Sequence, residues 1–165
     1  MTPQEAKVIG TYLAGVLKME MAATKRVISA IPDDQLDYSP DEKSMKALAL
    51  AKHIVEGEVM LMDIALVGGD APPPTGASDL TTPAEVVEWY DKEAAATIAK
   101  VEAMSGDDLA KVITVWGGAF TMPAVNFVGL ATAHSVHHRG QLSAYLRPMG
   151  AKVPSIYGPS GDSAS

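Results

Sequence analysis

The chain has 165 residues, of which 47% are hydrophobic, and this length suits one well-buried domain, which we expect to span residues 1–160. Its formal net charge is -7 and Lys25-Arg26 is its only adjacent basic pair, which argues against a nucleic-acid partner. The absence of cysteine excludes a disulfide framework and means that any thiol used in chemistry must arrive on a small molecule.

The sequence indicates a cytoplasmic protein with no membrane partner. Residues 1–5 contain neither the basic stretch nor the apolar run that begins a signal peptide. Residues 112–133 carry no charge, but Gly117, Pro123 and Asn126 interrupt them. Burial in a protein core therefore explains this segment better than a membrane span does.

Two helices are predicted in the first half of the chain. Residues 2–5 form a capping-box pattern with a proline at the first helical position, and an apolar stripe with helical spacing follows as far as Pro32. The segment after Pro32 has the composition of a loop. Ser44 is the predicted N-cap of the second helix, and the glycines at positions 68 and 69 end it.

The next segments are a crossover, a third helix and an extended stretch. Residues 70–78 are rich in proline and form the crossover, and residues 82–85 repeat the capping box at the start of a helix that reaches about Met104. Residues 112–116 have strand-like composition but no obvious partner strand, so we expect an extended segment that lies on the helices. The glycines at positions 117 and 118 are expected to turn the chain into the fourth helix.

The fourth helix is predicted from about Pro123 to Arg147, because a threonine lies shortly before the proline and because Pro148 and Gly150 stop the helix. Four long helices, two of them joined to the next by longer crossovers, predict an all-α fold, a four-helix bundle with long crossover loops. The final residues, 161–165, are expected to form a disordered tail.

The histidines of the chain predict a metal site. Three of the four lie within positions 134–138, and on a helix His134 and His138 sit one turn apart on the same face. A third ligand has to come from elsewhere, and His53, in the middle of the second helix, is the remaining histidine. Three neutral imidazoles suit zinc, nickel, iron or copper better than magnesium or calcium, and they leave a coordination position open for water or substrate.

Neighbouring residues limit this interpretation. The ordinary alternative for each histidine is a hydrogen-bonded residue of the helix core. His137 points about 100° away from the direction that His134 and His138 share, so we expect it to be solvated or to support a ligand. Ser135 stands where a zincin-type protease needs its glutamate, so the sequence does not support that class. Glu56 lies three positions from His53 and is either a proton acceptor at the site or a solvent-exposed carboxylate.

The sequence motif around the histidines resembles that of a known family. The run H-x-x-H-H-R-G-Q-L at His134 to Leu142, the Tyr145–Arg147 segment, the Val153-Pro154 tail and a lone histidine on helix two are similar to the DinB/YfiT-like superfamily. The resemblance spans nearly the whole chain. It implies a DinB-type four-helix bundle, often a homodimer, that binds a divalent metal through His53, His134 and His138.

The resemblance also implies a class of chemistry. Characterised members include S-transferases and a maleylpyruvate isomerase that use low-molecular-weight thiols. We therefore expect a metal-dependent transferase or hydrolase that activates a small-molecule thiol or water, with zinc or nickel as the cofactor and a small molecule as substrate. Arg139 is either an anchor for a carboxylate of substrate or cofactor, or a solvated helix-end residue. The alternative function is that of a non-catalytic metal-binding stress-response bundle or dimeric interaction protein.

Overall fold

A computed structural model describes residues 1–163, which are mostly helical. These described residues form five α-helices and one β-hairpin. In order, these elements are α1 (Pro3–Ser29), α2 (Ala47–Val67), α3 (Pro83–Ala103), α4 (Gly106–Ala110), β1 (Val112–Val115), β2 (Phe120–Pro123) and α5 (Ala124–Leu146). The prediction of an all-α fold is confirmed in part, because the structure is mostly helical but also contains the hairpin. Helices α1, α2, α3 and α5 are the four long helices that the sequence indicates.

Both predicted capping boxes are present at the starts of α1 and α3. The Thr2 hydroxyl accepts a hydrogen bond from the backbone N–H of Glu5, whose carboxylate accepts one from the N–H of Thr2. Thr82 and Glu85 repeat this exchange at α3. Each box satisfies backbone donors that have no partner within the helix, and an N-cap of this kind contributes about 1 kcal/mol to stability.

The predicted start of α2 at Ser44 is wrong. The helix begins at Ala47 with Lys46 as its N-cap. The Ser44 hydroxyl donates instead to the carboxylate of Asp41 at 2.7 Å, and the Ser44 backbone N–H donates to the same side chain. Because Asp41 binds both groups in a local turn, Ser44 is not available to cap the helix.

Helix α3 ends at Ala103, close to the predicted end at about Met104. The Ser105 hydroxyl then accepts a hydrogen bond from Asp108 N–H and caps α4, a short helix that the sequence analysis does not predict. Two predictions for the segment before α5 are wrong. The segment at 112–116 has a partner strand after all, because β1 pairs antiparallel with β2, in the register Val112 to Pro123 and Val115 to Phe120. The glycines at positions 117 and 118 therefore form the turn of the hairpin, and they do not lead directly into α5 as predicted.

The four long helices surround one main hydrophobic core. Helix α2 packs against α3 and α5, and α1 packs against the same two helices. Core side chains come from every long helix and include Leu17, Ile54, Ile98 and Phe127, all fully buried. Among the described residues, no helix has the length and apolar content needed to cross a membrane.

The C-terminal segment folds back onto the helices. Val153 and Ile156 pack on the core. The carboxylate of Asp162 accepts hydrogen bonds from the Arg147 side chain and the Val153 backbone, within a turn at residues 161–163. This turn is part of the tail predicted to be disordered, and the last two residues of that tail lie outside the described residues.

Candidate metal centre

The structure brings together the three histidines that the sequence predicts as ligands. His53 lies on α2, and His134 and His138 lie on α5, which packs along α2. The Nε2 atom of His53 is 3.1 Å from Nε2 of His134 and 3.3 Å from Nε2 of His138. All three ligand nitrogens lie within 4.8 Å of one another, and all three side chains are half-buried.

These separations match the geometry of a metal site. Two nitrogens that each lie about 2.1 Å from one ion, at a tetrahedral angle, are roughly 3.4 Å apart, and at a right angle they are about 3.0 Å apart. The two shortest distances in the cluster fall inside this interval. Two of the three pairs therefore have the spacing of metal ligands, and with the third pair within 4.8 Å the three residues could hold a metal ion.

The hydrogen bonds of Gln141 orient the His138 ring. The Gln141 Oε1 atom lies 2.8 Å from Nδ1 of His138, and because an amide oxygen only accepts, Nδ1 carries the proton. Nε2 of His138 then presents a lone pair to the cluster. The amide nitrogen of Gln141 lies 3.1 Å from Nε2 of the exposed His137, which is outside the cluster. Gln141 thus acts as the kind of hydrogen-bonded support that fixes the tautomer of metal-binding histidines.

Hydrogen bonding within the cluster cannot satisfy its three nitrogens. Nε2 of His53 faces both of the other Nε2 atoms, but it offers either one proton or one lone pair. If Nε2 of His53 carries a lone pair, it faces the lone pair of His138 Nε2. If it carries a proton, it can donate well to only one of its two neighbours. A cation shared by the three lone pairs removes this conflict, so the arrangement fits a metal better than it fits a hydrogen-bonded core.

Gly57 provides the space that the His134 ring occupies. A Cβ atom at this position would lie 2.2 Å from Cε1 of His134 and 2.8 Å from its Nε2. Nδ1 of His134 is buried and has no hydrogen-bond partner among the described residues. The ring is therefore held by packing against the α2 backbone at Gly57, and any larger residue there would displace it.

The environment keeps two of the histidines neutral. Burial, and after it the positive charges that the neighbouring histidines can carry, lower the pKa of His134 to about 4. Burial is also the main reason that the pKa of His53 lies below its ordinary value, with His138 as the second cause. At neutral pH both rings are therefore uncharged, which is the form that binds metals.

An open apolar cavity of about 510 Å³ lies above the cluster, and His53 and His134 form part of its lining. Its other walls come from α2, α5, the proline-rich crossover and the hairpin. They are formed mainly by Met60, Leu61, Pro73, Pro74, Trp116 and Leu130. The half-buried Glu56 lines the same cavity, and burial raises the pKa of its carboxyl. The cavity gives a small molecule direct access to the ligand nitrogens.

A second cavity of about 490 Å³ reaches the cluster from the side of His138. Its lining is more polar than that of the first and includes Lys43, Ser44 and Gln141. The histidines therefore lie between two cavities of different chemistry, so that two small molecules could approach the cluster from different sides.

A buried polar network lies behind the cluster. Arg139 is 1% exposed and forms an ion pair of 2.7 Å with Glu20, and its guanidinium also donates to the hydroxyls of Thr24 and Tyr157. Both predicted roles for Arg139 are therefore wrong, because this side chain is neither solvated nor free to bind a carboxylate of a substrate. Arg139 lies inside the protein, where its bonds connect α5 to α1 and to the C-terminal segment.

Glu58 is a residue of this region that the sequence interpretation missed. It is completely buried, accepts a hydrogen bond of 2.7 Å from the Tyr90 hydroxyl, and lies beside Ser135. Burial raises the pKa of Glu58 to about 7, although the nearby Ser135 hydroxyl and the hydrogen bond from Tyr90 oppose the increase. Glu58 lies about one helical turn from Ile54 and two from Leu50, and this spacing is the signal that could have placed it on the buried face.

The sequence matches a known family. The model of the DinB family matches residues 11–164. The uncharacterized protein YjoA of Bacillus subtilis (strain 168) is 28% identical over 131 residues, which cover 77% of this chain and 82% of YjoA.

Solved structures show the same fold. The crystal structure of the DinB-like protein YjoA from Bacillus subtilis has a TM-score of 0.71 at 22% identity, and the match covers 90% of this chain and 99% of that one. A DinB-like protein from Bacillus cereus ATCC 10987 has a TM-score of 0.73 at 20% identity, covering 88% of this chain and 95% of the other. A mycothiol-dependent maleylpyruvate isomerase has a TM-score of 0.52 at 13% identity, covering 94% of this chain and 66% of that one.

Proposed function

Because this chain belongs to the DinB family, we propose that it is a metal-dependent enzyme that activates a small-molecule thiol or water at His53, His134 and His138. The convergence of three Nε2 atoms at metal-ligand spacing, on the floor of an open cavity, is the observation that carries this proposal. In this proposal the four long helices form a four-helix bundle that holds the ligands rigidly. Zinc and nickel are the metals that we expect, because they bind imidazole well.

Each residue of the site has a distinct part in this function. A bound transition metal supplies Lewis-acid chemistry, since it lowers the pKa of a thiol or water and so favours the nucleophilic anion. His53, His134 and His138 would hold the metal beside the cavity that His53 and His134 line. Glu56 lines that cavity, and its raised pKa makes it a stronger acceptor for the proton that the nucleophile loses.

Two observations favour a thiol over water as the nucleophile. The chain contains no cysteine, so a thiol would have to be a second small molecule, and the two cavities beside the histidines provide separate approaches for thiol and electrophile. The structural similarity to a mycothiol-dependent isomerase agrees with this choice. The expected reactions are S-transfer to an electrophile or, with water, hydrolysis.

The proposal is tested with protein reconstituted with zinc or nickel and a panel of low-molecular-weight thiols, each offered with 1-chloro-2,4-dinitrobenzene or monobromobimane. We expect thiol conversion above the uncatalysed rate in the wild type and in His137→Ala, and its loss in His134→Ala. His137→Ala is the matched control, because His137 lies on the same helix but outside the cluster. If no thiol is converted with either electrophile, the alternative of a non-catalytic metal-binding protein is favoured.

We also infer that the protein forms a homodimer through α1. Val8, Tyr12 and Met19 are exposed large apolar side chains, and their spacing places all three along one face of this helix. An exposed apolar stripe of this kind is typical of a protein interface. A second copy of the same chain could cover it by packing α1 against α1.

A further inference from the structure

We propose that the cavity above the histidine cluster selects a neutral, apolar organic group, such as an aryl or branched alkyl group, and rejects anions. That this group belongs to the substrate rests on the proposed function. The selection itself depends on the chemistry of the cavity walls, which can be measured without a metal.

The walls of the cavity offer apolar contact on several sides. Met60 and Leu61 from α2 and Leu130 from α5 line it next to the histidines, and prolines of the crossover line another part. A cavity of about 510 Å³ falls within the range that binds ligands of drug size, roughly 300–1,000 Å³. Burial of apolar ligand surface against such walls is therefore the main source of affinity that the cavity provides.

The charges around the cavity act against an anion. Glu56 carries the one carboxylate of the described lining residues, and none of those residues is a lysine or an arginine. Arg139 is buried in its ion pair with Glu20, and Lys43 lines the other cavity. In the metal-free protein, a carboxylate or sulfonate that entered the apolar cavity would lose its hydration without gaining a lysine or arginine partner from the lining. A neutral group has no such cost.

Trp116 is held over the cavity in an unfavourable backbone conformation. Its φ of 52° lies in the left-handed region, which a bulky side chain rarely adopts. The Trp116 backbone N–H donates to the Asp70 carboxylate at 2.8 Å, and the indole packs edge-on against Phe120. The hairpin and the crossover thus fix the indole as a cavity wall although it remains 43% exposed. An exposed and strained tryptophan is consistent with a role in binding rather than in stability.

The proposal is tested with two dyes of the same skeleton, neutral N-phenyl-1-naphthylamine and anionic 8-anilinonaphthalene-1-sulfonate. Binding of each is followed by its fluorescence in metal-free protein, so that the charge of a bound metal does not enter the comparison. We expect one equivalent of the neutral dye to bind, at least about tenfold more tightly than the sulfonate. Trp116→Ala should weaken the neutral dye about tenfold, as expected if roughly 55 Å² of apolar contact is lost.

Two further variants sharpen the test. Glu56→Gln should strengthen binding of the sulfonate about tenfold and leave the neutral dye unchanged, because only the like charge is removed. Trp89→Phe is the matched control, since Trp89 packs near Gly76 and not in the cavity. It should leave both affinities unchanged.

The proposal is overturned if the sulfonate binds as tightly as the neutral dye, or if Trp116→Ala leaves the affinity for the neutral dye intact. Because neither dye needs a metal, failure of the histidines to bind metal does not alter this result. Conversely, loss of the selectivity for neutral dyes would leave the three-histidine site and its proposed chemistry standing.

Discussion

Replacement of Gly57 by alanine should destroy metal binding while the helices stay folded. The new Cβ would lie 2.2 Å from Cε1 of His134, whereas ordinary contact begins near 3.4 Å, so the ring would have to move by about 1.2 Å. Metal-to-ligand distances tolerate only about 0.2 Å, so His134 would cease to be a good ligand. We expect zinc affinity to fall by roughly 100-fold or more, because the loss of a ligand costs at least as much as the loss of its hydrogen-bonded support.

The stability of metal-free Gly57→Ala separates this effect from unfolding. Alanine in a helix interior is favoured over glycine by about 1 kcal/mol, which offsets part of the cost of moving the ring. Urea unfolding of the metal-free variant should therefore stay close to that of the wild type. Zinc affinity is measured by competition with a chromophoric chelator, and Gly15→Ala serves as control because no atom lies within 4 Å of its new Cβ. Unchanged zinc affinity in Gly57→Ala would refute the proposed position of the His134 ligand.

Three other predictions follow from single contacts in the structure. Gln141→Ala should lower zinc affinity about 10–100-fold in the same competition assay, because it removes the hydrogen bond that orients His138, whereas a value equal to that of the wild type would contradict this role. Glu58→Gln should be more stable than the wild type at pH 8 by about 3 kcal/mol and equally stable near pH 4.5. The pKa of Glu58 is raised from 4.5 in the unfolded chain to about 7 in the folded one, so its contribution to stability is complete below pH 4.5 and is lost as the pH rises through 7. Glutamine does not ionise and keeps that contribution. Urea unfolding at both pH values tests this, and a difference independent of pH would show that Glu58 does not titrate as described. Tyr12→Glu should convert the dimer to a monomer in analytical ultracentrifugation. Thr11→Glu should not, because Thr11 lies beside the apolar stripe and not in it. A monomeric wild type would exclude the dimer.

The long helices and the histidine cluster were predictable because their signals are local or nearly so. The capping boxes at Thr2 and Thr82 bring all their donors and acceptors within four residues, and the structure contains both. The pair His134 and His138 is one turn apart on a single helix. His53 could be added only because no other histidine remained in the chain.

The features that the sequence interpretation missed depend on contacts between distant segments. The hairpin partner of β1 lies in a short stretch whose proline resembles the first turn of a helix, so periodicity alone does not reveal it. The burial of Arg139 depends on Glu20 and Tyr157, which come from α1 and the C-terminal segment. Ser44 was misassigned for a local reason, because Asp41 competes for the same hydroxyl.

The most direct test of the account is the metal content of the purified, untagged protein, measured by mass spectrometry. The wild type and His137→Ala are expected to hold about one equivalent of a transition metal per chain, and His53→Ala and His138→Ala to lose it. The wild type should recover its metal when a stripped sample is incubated with zinc or nickel. A wild type that is free of metal and cannot be reloaded would contradict the account and return the three histidines to a role in packing between α2 and α5.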